Sequence, residues 1–319
     1  MSKMSTDLTK TTLNGPTMGT RWSVLFHASQ SDPIQKIQTA CEKVVAEIDQ
    51  QMSTWKPDSD LMRFNAAPVG KWVDLPRHLV NVLAKGLEIG KASGGVFDVG
   101  MGDVVRNWGF AASDHDVAGM QATMGQTRPR ADQILELDPV GQRARKHAAI
   151  DLDLSGIAKG YGVDCLIGIL GGYGIAAAVA SLDGEVRCKG MQPDGQPWAI
   201  ALERPDYDRR DALGIIELQD ASVATSGDYR HWVDLDDRRL SHTMDPRLGG
   251  PVPRGPASVT VVAETCTEAD AWATALMVLG VSEGAALARN IGLNAMFLER
   301  DGDGFRQTGV GPLFQEQAV

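Results

Sequence analysis

Apolar residues Ile34, Ile37, Val44, Val45 and Ile48 recur three, four and seven positions apart, the spacing of a single stripe along a helix. A helix is therefore predicted over residues 32–52, and the same spacing predicts a second over about 76–92, stopped by Gly94-Gly95. Residues 18–27 read as a strand entered from the turn Asn14-Gly15-Pro16. From Cys165 to Leu182 no residue is charged, a run close to the length of a bilayer span. Gly171, Gly172, Tyr173 and Gly174 interrupt it, so the run is predicted as helix, turn and a buried strand at 176–181, with no transmembrane segment. Ile150-Asp151-Leu152-Asp153-Leu154 alternates at period two and predicts a strand, with Ser155 capping a helix that begins at Gly156. Further strands are predicted at 198–203, 214–218, 222–226, 258–263 and 295–299, around a last helix over 268–279. Residues 111–149 are richer in polar side chains and read as a peripheral insertion holding short strands. No low-complexity linker is found, so any subdomains are expected to be intertwined.

The charge balance narrows the function. Lys and Arg number 31 against 41 Asp and Glu, and the basic residues are scattered, which sets nucleic acid aside as a partner. Cys41, Cys165, Cys188 and Cys266 form no C-x-x-C pair, so reduced, packed thiols are expected rather than a zinc site or a disulfide framework. The first twenty residues carry no apolar run, so a cytoplasmic location is expected for the sequence as it stands, periplasmic if the encoded start carries a leader. No nucleophile elbow, H-E-x-x-H, Walker A or dinucleotide glycine fingerprint appears.

Three constellations carry candidate chemistry. Asp151 and Asp153 on one strand face, followed by a helix start and Lys159 one turn in, suit a metal and phosphate site; a solvated sheet face is an equal reading. Thr267 and Asp270 have capping-box spacing, which favours a helix-supporting role for Asp270, yet Asp270 and Thr274 also share a face and can offer a carboxylate and a hydroxyl to one hard cation. Ser241-His242-Thr243-Met244-Asp245-Pro246-Arg247 is an irregular loop in which His242 is a candidate general base, although a loop histidine bonded to backbone is the commoner outcome.

Seven segments in order carry a resemblance: Thr17-Met18-Gly19-Thr20, Ser53-Thr54-Trp55, Phe97-Asp98 with Trp108-Gly109-Phe110, 151–164 (DLDLSGIAKGYGVD), 224–229 (ATSGDY), 241–249 (SHTMDPRLG) and 269–276 (ADAWATAL). Together they are similar to the FAD:protein FMN transferase family, the ApbE-like flavin transferases. The resemblance implies an α+β fold, related to the T-fold, of mixed and antiparallel sheets packed with helices. It also implies one domain over 15–312, a flexible N-terminus at 1–14 and a tail at 313–319. The implied activity splits the FAD pyrophosphate with Mg²⁺ (Mn²⁺ possible as substitute), attaches FMN to a Thr or Ser of an acceptor flavoprotein and releases AMP. An FAD pyrophosphatase or a non-catalytic FAD-binding protein are the alternatives. By similarity Met18, Trp55, Phe97, Asp98, Asp153, Lys159, Thr225 and Met244 line the FAD site. Gly156 through its carbonyl, Asp270 and Thr274 hold the cation, and His242 and Lys159 serve catalysis. Trp55 and Phe97 are candidates for stacking on a flavin or adenine ring, with core packing the default for either. Ala273 stands where many relatives carry a second acidic residue.

Overall fold

The computed structural model describes residues 8–112, 115–230, 232–235, 238–253 and 255–314. Its centre is an eight-stranded sheet of β1 (Thr9–Thr17), β2 (Thr20–Ala28), β3 (Ala178–Leu182), β4 (Glu185–Lys189), β5 (Ser222–Gly227), β6 (Ser258–Ala263), β7 (Asn294–Asp301) and β8 (Gly304–Val310). The strands lie side by side in chain order, every neighbour antiparallel. Four long helices, α1 (Ile34–Met52), α2 (Arg77–Ala92), α3 (Ala158–Gly172) and α4 (Cys266–Asn290), complete an α+β fold.

Side chains alternate across the sheet, so each strand feeds two cores. Trp22, Val24 and Phe26 of β2, Ala178 and Ala180 of β3, Val259 and Val261 of β6, and Phe297 of β7 join the helices in the main core. Cys188, Val223, Val262, Met296 and Leu298 face the other way, onto the hairpin Trp198–Glu203 and Ala212–Leu218. The stripe on α1 is buried as its spacing predicts, through Ile37, Val44, Val45 and Ile48.

Several boundaries differ from expectation. Asn14-Gly15-Pro16 is not a turn but lies inside β1, and Gly15 pairs with Trp22, whose indole sits where a Cβ at Gly15 would be. Residues 9–14, expected to be flexible, therefore belong to the sheet edge. The turn is Met18-Gly19, with φ of 47° and 72°, and a second two-residue hairpin turn, Asp183-Gly184, has φ of 53° and 103°. Positive φ at both central residues is what a type I′ turn requires.

The strand predicted at 150–154 is also corrected. Ile150, Leu152 and Leu154 are buried, but the segment joins no sheet. The Asn65 side chain takes the place of a neighbouring strand: its Oδ1 accepts from Leu152 N–H at 2.8 Å and its amide donates to Leu152 C=O at 2.9 Å. Alternation survives because the chain is extended, not because it is laddered.

The short strands expected within 111–149 are Leu135–Asp138 and Arg143–Lys146, paired with each other and, through the latter, with Val73–Asp74. Ala131, Leu135 and Ala144 anchor this region in the main core.

Helix α4 runs past the predicted end at 279. Gly280 breaks it with φ 72°, and the chain then resumes helical geometry to Asn290. By length and composition α4 could cross a membrane, yet more than half of its apolar window is buried inside the protein. The run from Cys165 to Leu182 is helix, turn and strand as read. Cys41, Cys188 and Cys266 are buried free thiols, and Cys165 is half-buried.

Candidate active site

The starts of α3 and α4 meet. Asp270 on α4 is 5% exposed, and its Oδ2 accepts the Gly160 N–H of α3 at 3.0 Å. A Cβ on Gly160 would sit 2.3 Å from the Cys266 carbonyl oxygen and 2.8 Å from Asp270 Cβ, so only glycine admits this approach. One turn along α4, Thr274 Oγ1 lies 3.0 Å from where a Gly156 Cβ would stand and 3.2 Å from Ser226 Oγ of β5. The three residues read as cation ligands, Gly156, Asp270 and Thr274, are thus brought together.

Asp270 is not part of a helix cap. Thr265 caps α4, accepting from Glu268 N–H at 3.2 Å while its hydroxyl donates to the Glu268 carboxylate at 2.9 Å. Thr267, the expected cap, instead gives its N–H and hydroxyl to Asp164 of α3, which also takes the Cys266 N–H. The predicted Ser155 cap of α3 is likewise absent: the helix starts at Ala158, and Ser155 N–H donates to Asp153 Oδ1 at 2.9 Å in a turn before it.

Lys159 Nζ stands 2.8 Å from Glu185 Oε1 and 3.3 Å from Asp183 Oδ2. Burial alone would lower its pKa, but Glu185, Asp270 and Asp183 more than offset that and raise it. Burial pushes the Glu185 carboxyl up while the Lys159 ammonium pulls it down, and one of its oxygens, Oε2, is buried with no hydrogen-bond partner among the described residues. Burial also raises Asp270, with Lys159 and the Gly160 amide acting in the opposite direction.

Three carboxylates around one ammonium leave an excess of negative charge, which a bound cation relieves. The donors at hand are oxygens, the Asp270 carboxylate and the Thr274 and Ser226 hydroxyls, and no three His, Cys, Asp or Glu are placed to hold a metal ion among the described residues. That set suits a hard ion that keeps several waters, as Mg²⁺ does, and not a tightly caged zinc.

Other expected ligand residues divide into groups. Met18 forms the β1–β2 turn, and Thr20 beside it donates to Asp183 Oδ1 at 3.0 Å, tying that turn to the Asp183-Gly184 turn next to Lys159. Trp55 is 63% exposed, a bare aromatic face and not a core residue.

Phe97 packs in the main core, the default reading for an aromatic. It is 5% exposed, and its ring lies 3.3 Å from where a Gly156 Cβ would be. Asp98 binds backbone, accepting Gly100 N–H at 2.8 Å and Ala131 N–H at 3.2 Å, and burial raises its pKa. The shared strand face proposed for Asp151 and Asp153 is absent: Asp151 pairs with Arg106 at 2.7 Å. Asp153 is buried, its carboxyl raised by burial, with Oδ2 unpartnered among the described residues.

Thr225 lies on the other face of the sheet from Ser226. It has the parity of Val223, so it points away from α4 and meets Thr260 Oγ1 at 2.8 Å. Its neighbour Ser226 is the hydroxyl that faces Thr274.

Met244 belongs to a third apolar cluster, and His242 meets a residue that packs against it. Met244 packs with Met101, Val104, Trp108 and Met120, and Phe110, which leans on that cluster, meets the His242 ring edge-on at 6.2 Å. A cavity of about 270 Å³ opens beside Ser241, Val252, Met277 and Arg300, and none of the expected ligand residues lines it.

Sequence reasoning missed Glu185, Asp183, Ser226 and the linking role of Asp164. The Asp-Gly pair at 183–184 was the available signal, since it marks a hairpin whose second strand must place Glu185 and Arg187 on one face.

The ApbE family profile matches residues 18–297. The curated FAD:protein FMN transferase of Klebsiella pneumoniae is 33% identical, covering 96% of this chain and 89% of its own length. Its counterpart from Vibrio cholerae is 35% identical over 92% and 89%. Among solved structures, the flavin transferase ApbE from Vibrio cholerae superposes with a TM-score of 0.85 at 32% identity, covering 97% of this chain and all of that one. The Pseudomonas stutzeri flavinyl transferase ApbE also gives 0.85, at 35% identity over 96% and 97%. On profile, sequence and fold together, this chain belongs to the ApbE family.

Proposed function

We propose that the protein is an FAD:protein FMN transferase that takes FAD and an acceptor flavoprotein as substrates. The observation that carries this reading is the meeting of Gly156, Lys159, Asp270 and Thr274 at two adjoining helix starts in a chain of this family. Asp270, Thr274 and the Gly156 carbonyl would hold Mg²⁺, or Mn²⁺ in its place. When bound, the ion supplies neutralisation of charge on the FAD diphosphate.

The chain's own groups account for the rest. Lys159 offers a fixed positive charge to the diphosphate, and exposed Trp55 offers a face to an aromatic ring. The acceptor Thr or Ser hydroxyl oxygen forms a new bond to the FMN phosphorus, the bridging P–O bond breaks, and AMP leaves with the bridging oxygen. His242 takes the hydroxyl proton. Asp153, with a buried oxygen awaiting a donor, would accept a hydrogen bond from the nucleotide.

Incubation with FAD, Mg²⁺ and candidate acceptor proteins tests the reading. A flavin-fluorescent acceptor band that survives denaturing electrophoresis, with AMP released in equal amount, is the expected result. Free FMN and AMP without labelling of any acceptor would identify a pyrophosphatase. FAD binding without turnover in either metal would identify a carrier.

A further inference from the structure

Lys159 has two carboxylate partners of different kinds. Glu185 lies on β4, its side chain is 4% exposed, and it holds Nζ at 2.8 Å. Asp183 lies at the exposed hairpin tip, its side chain is 38% exposed, and it holds Nζ at 3.3 Å while also accepting from Thr20. An exposed carboxylate that loses its ammonium is re-solvated by water at little cost. A buried one is left as an uncompensated charge, which is strongly unfavourable. Glu185 has no substitute for the lysine, because its other oxygen meets no donor among the described residues.

We propose that Glu185 is a positioning residue that fixes the Lys159 ammonium for the nucleotide diphosphate, while Asp183 is a stand-in anion that the diphosphate displaces. This rests on the reading of Lys159 as the phosphate ligand. A lysine stem is flexible and its three donors point wherever its partners draw them. With Glu185 holding one donor, another is drawn to Asp183 at the Asp183-Gly184 tip, which Thr20 ties to the Met18-Gly19 turn. Asp183 occupies that side in the free protein and both competes for the ammonium and repels an incoming phosphate.

The two carboxylates should therefore act with opposite sign on nucleotide affinity. Equilibrium titration of the full chain with FAD, without metal and then with Mg²⁺, reads this directly through quenching of flavin fluorescence. Glu185→Gln is expected to weaken FAD roughly tenfold or more, and Asp183→Asn to strengthen it by roughly two- to fivefold. Riboflavin, which lacks phosphate, should bind all variants alike. In a Lys159→Met background both effects should shrink to less than about twofold, as a coupled pair requires. Glu185→Asp, which keeps the charge but withdraws it by one methylene, should also weaken FAD and serves if the glutamine variant does not fold.

Unchanged FAD affinity in both Glu185 variants, weakening by Asp183→Asn, or effects that persist without Lys159 would each overturn the proposal. Should the unaltered protein bind no FAD, with or without Mg²⁺, the functional reading fails and this proposal with it. FAD binding that is intact but indifferent to these substitutions defeats the proposal alone.

Discussion

The two faces of the central sheet use the same strands for opposite purposes. Toward the hairpin Trp198–Glu203 and Ala212–Leu218, β4 to β7 present Cys188, Val223, Val262, Met296 and Leu298, an apolar layer. Toward α3 and α4, the same strands present Glu185, Arg187 and Ser226, met by Lys159, Asp164, Asp270 and Thr274. Apolar burial stabilises without positional demands, whereas buried charge is tolerated only when each group has its partner. On the helix face the partners are incomplete, with Glu185 Oε2 unpartnered among the described residues and negative charge in excess, an imbalance that a charged ligand would relieve.

Asp270→Ala is the sharpest way to break this contrast. It should abolish metal-dependent turnover while shifting the thermal midpoint by only a few degrees, checked by FAD cleavage across a Mg²⁺ series and by melting. Retained activity at low Mg²⁺ would place the ion elsewhere.

His242→Ala should slow FMN transfer by roughly a hundredfold or more, the ordinary cost of losing a general base, with FAD affinity unchanged. A rate like that of the unaltered protein would assign the proton to another group.

Adjacent hydroxyls offer a comparison within one strand. Ser226→Ala should raise the Mg²⁺ requirement a few-fold, whereas Thr225→Val should cost about 1 kcal/mol of stability by orphaning Thr260 and leave turnover within about twofold. Equal effects on turnover would mean that the side of the sheet does not decide function.

The smallest expected effect is a slope. Because burial raises the Asp98 carboxyl, the folded chain holds a proton there to higher pH than the unfolded chain does. Its contribution to stability is therefore present at low pH and lost as pH rises past the ordinary aspartate range. Thermal midpoints of the ligand-free protein should fall along this window, and Asp98→Asn should flatten the fall.

Much of this was legible beforehand where one periodicity governs. The α1 stripe, the strands Trp198–Glu203 and Ser258–Ala263, and the break at Gly171 to Gly174 follow from local pattern alone. Segment 150–154 misled because an extended chain held by Asn65 buries alternate residues as a strand does. Thr225 and Ser226 are neighbours in one segment, and nothing local states which parity faces a helix more than forty residues away. Asp270 and Thr274 were readable as a pair on one helix face, but their meeting with Gly156 and Gly160 is a long-range contact that spacing cannot express. Glu185 was missed for the same reason, since its partner Lys159 lies on a different element.

The seam at Gly160 sets a limit that no side chain can relax. Two helices touch there, the Cys266 carbonyl filling the place a Gly160 Cβ would take, so the distance from the α3 main chain to the root of the Asp270 side chain is set by atoms that have no rotamers. An ion gripped by Asp270 would sit against a seam whose width the main chain sets, and discrimination between small and large divalent ions would then depend on a residue with no functional group of its own.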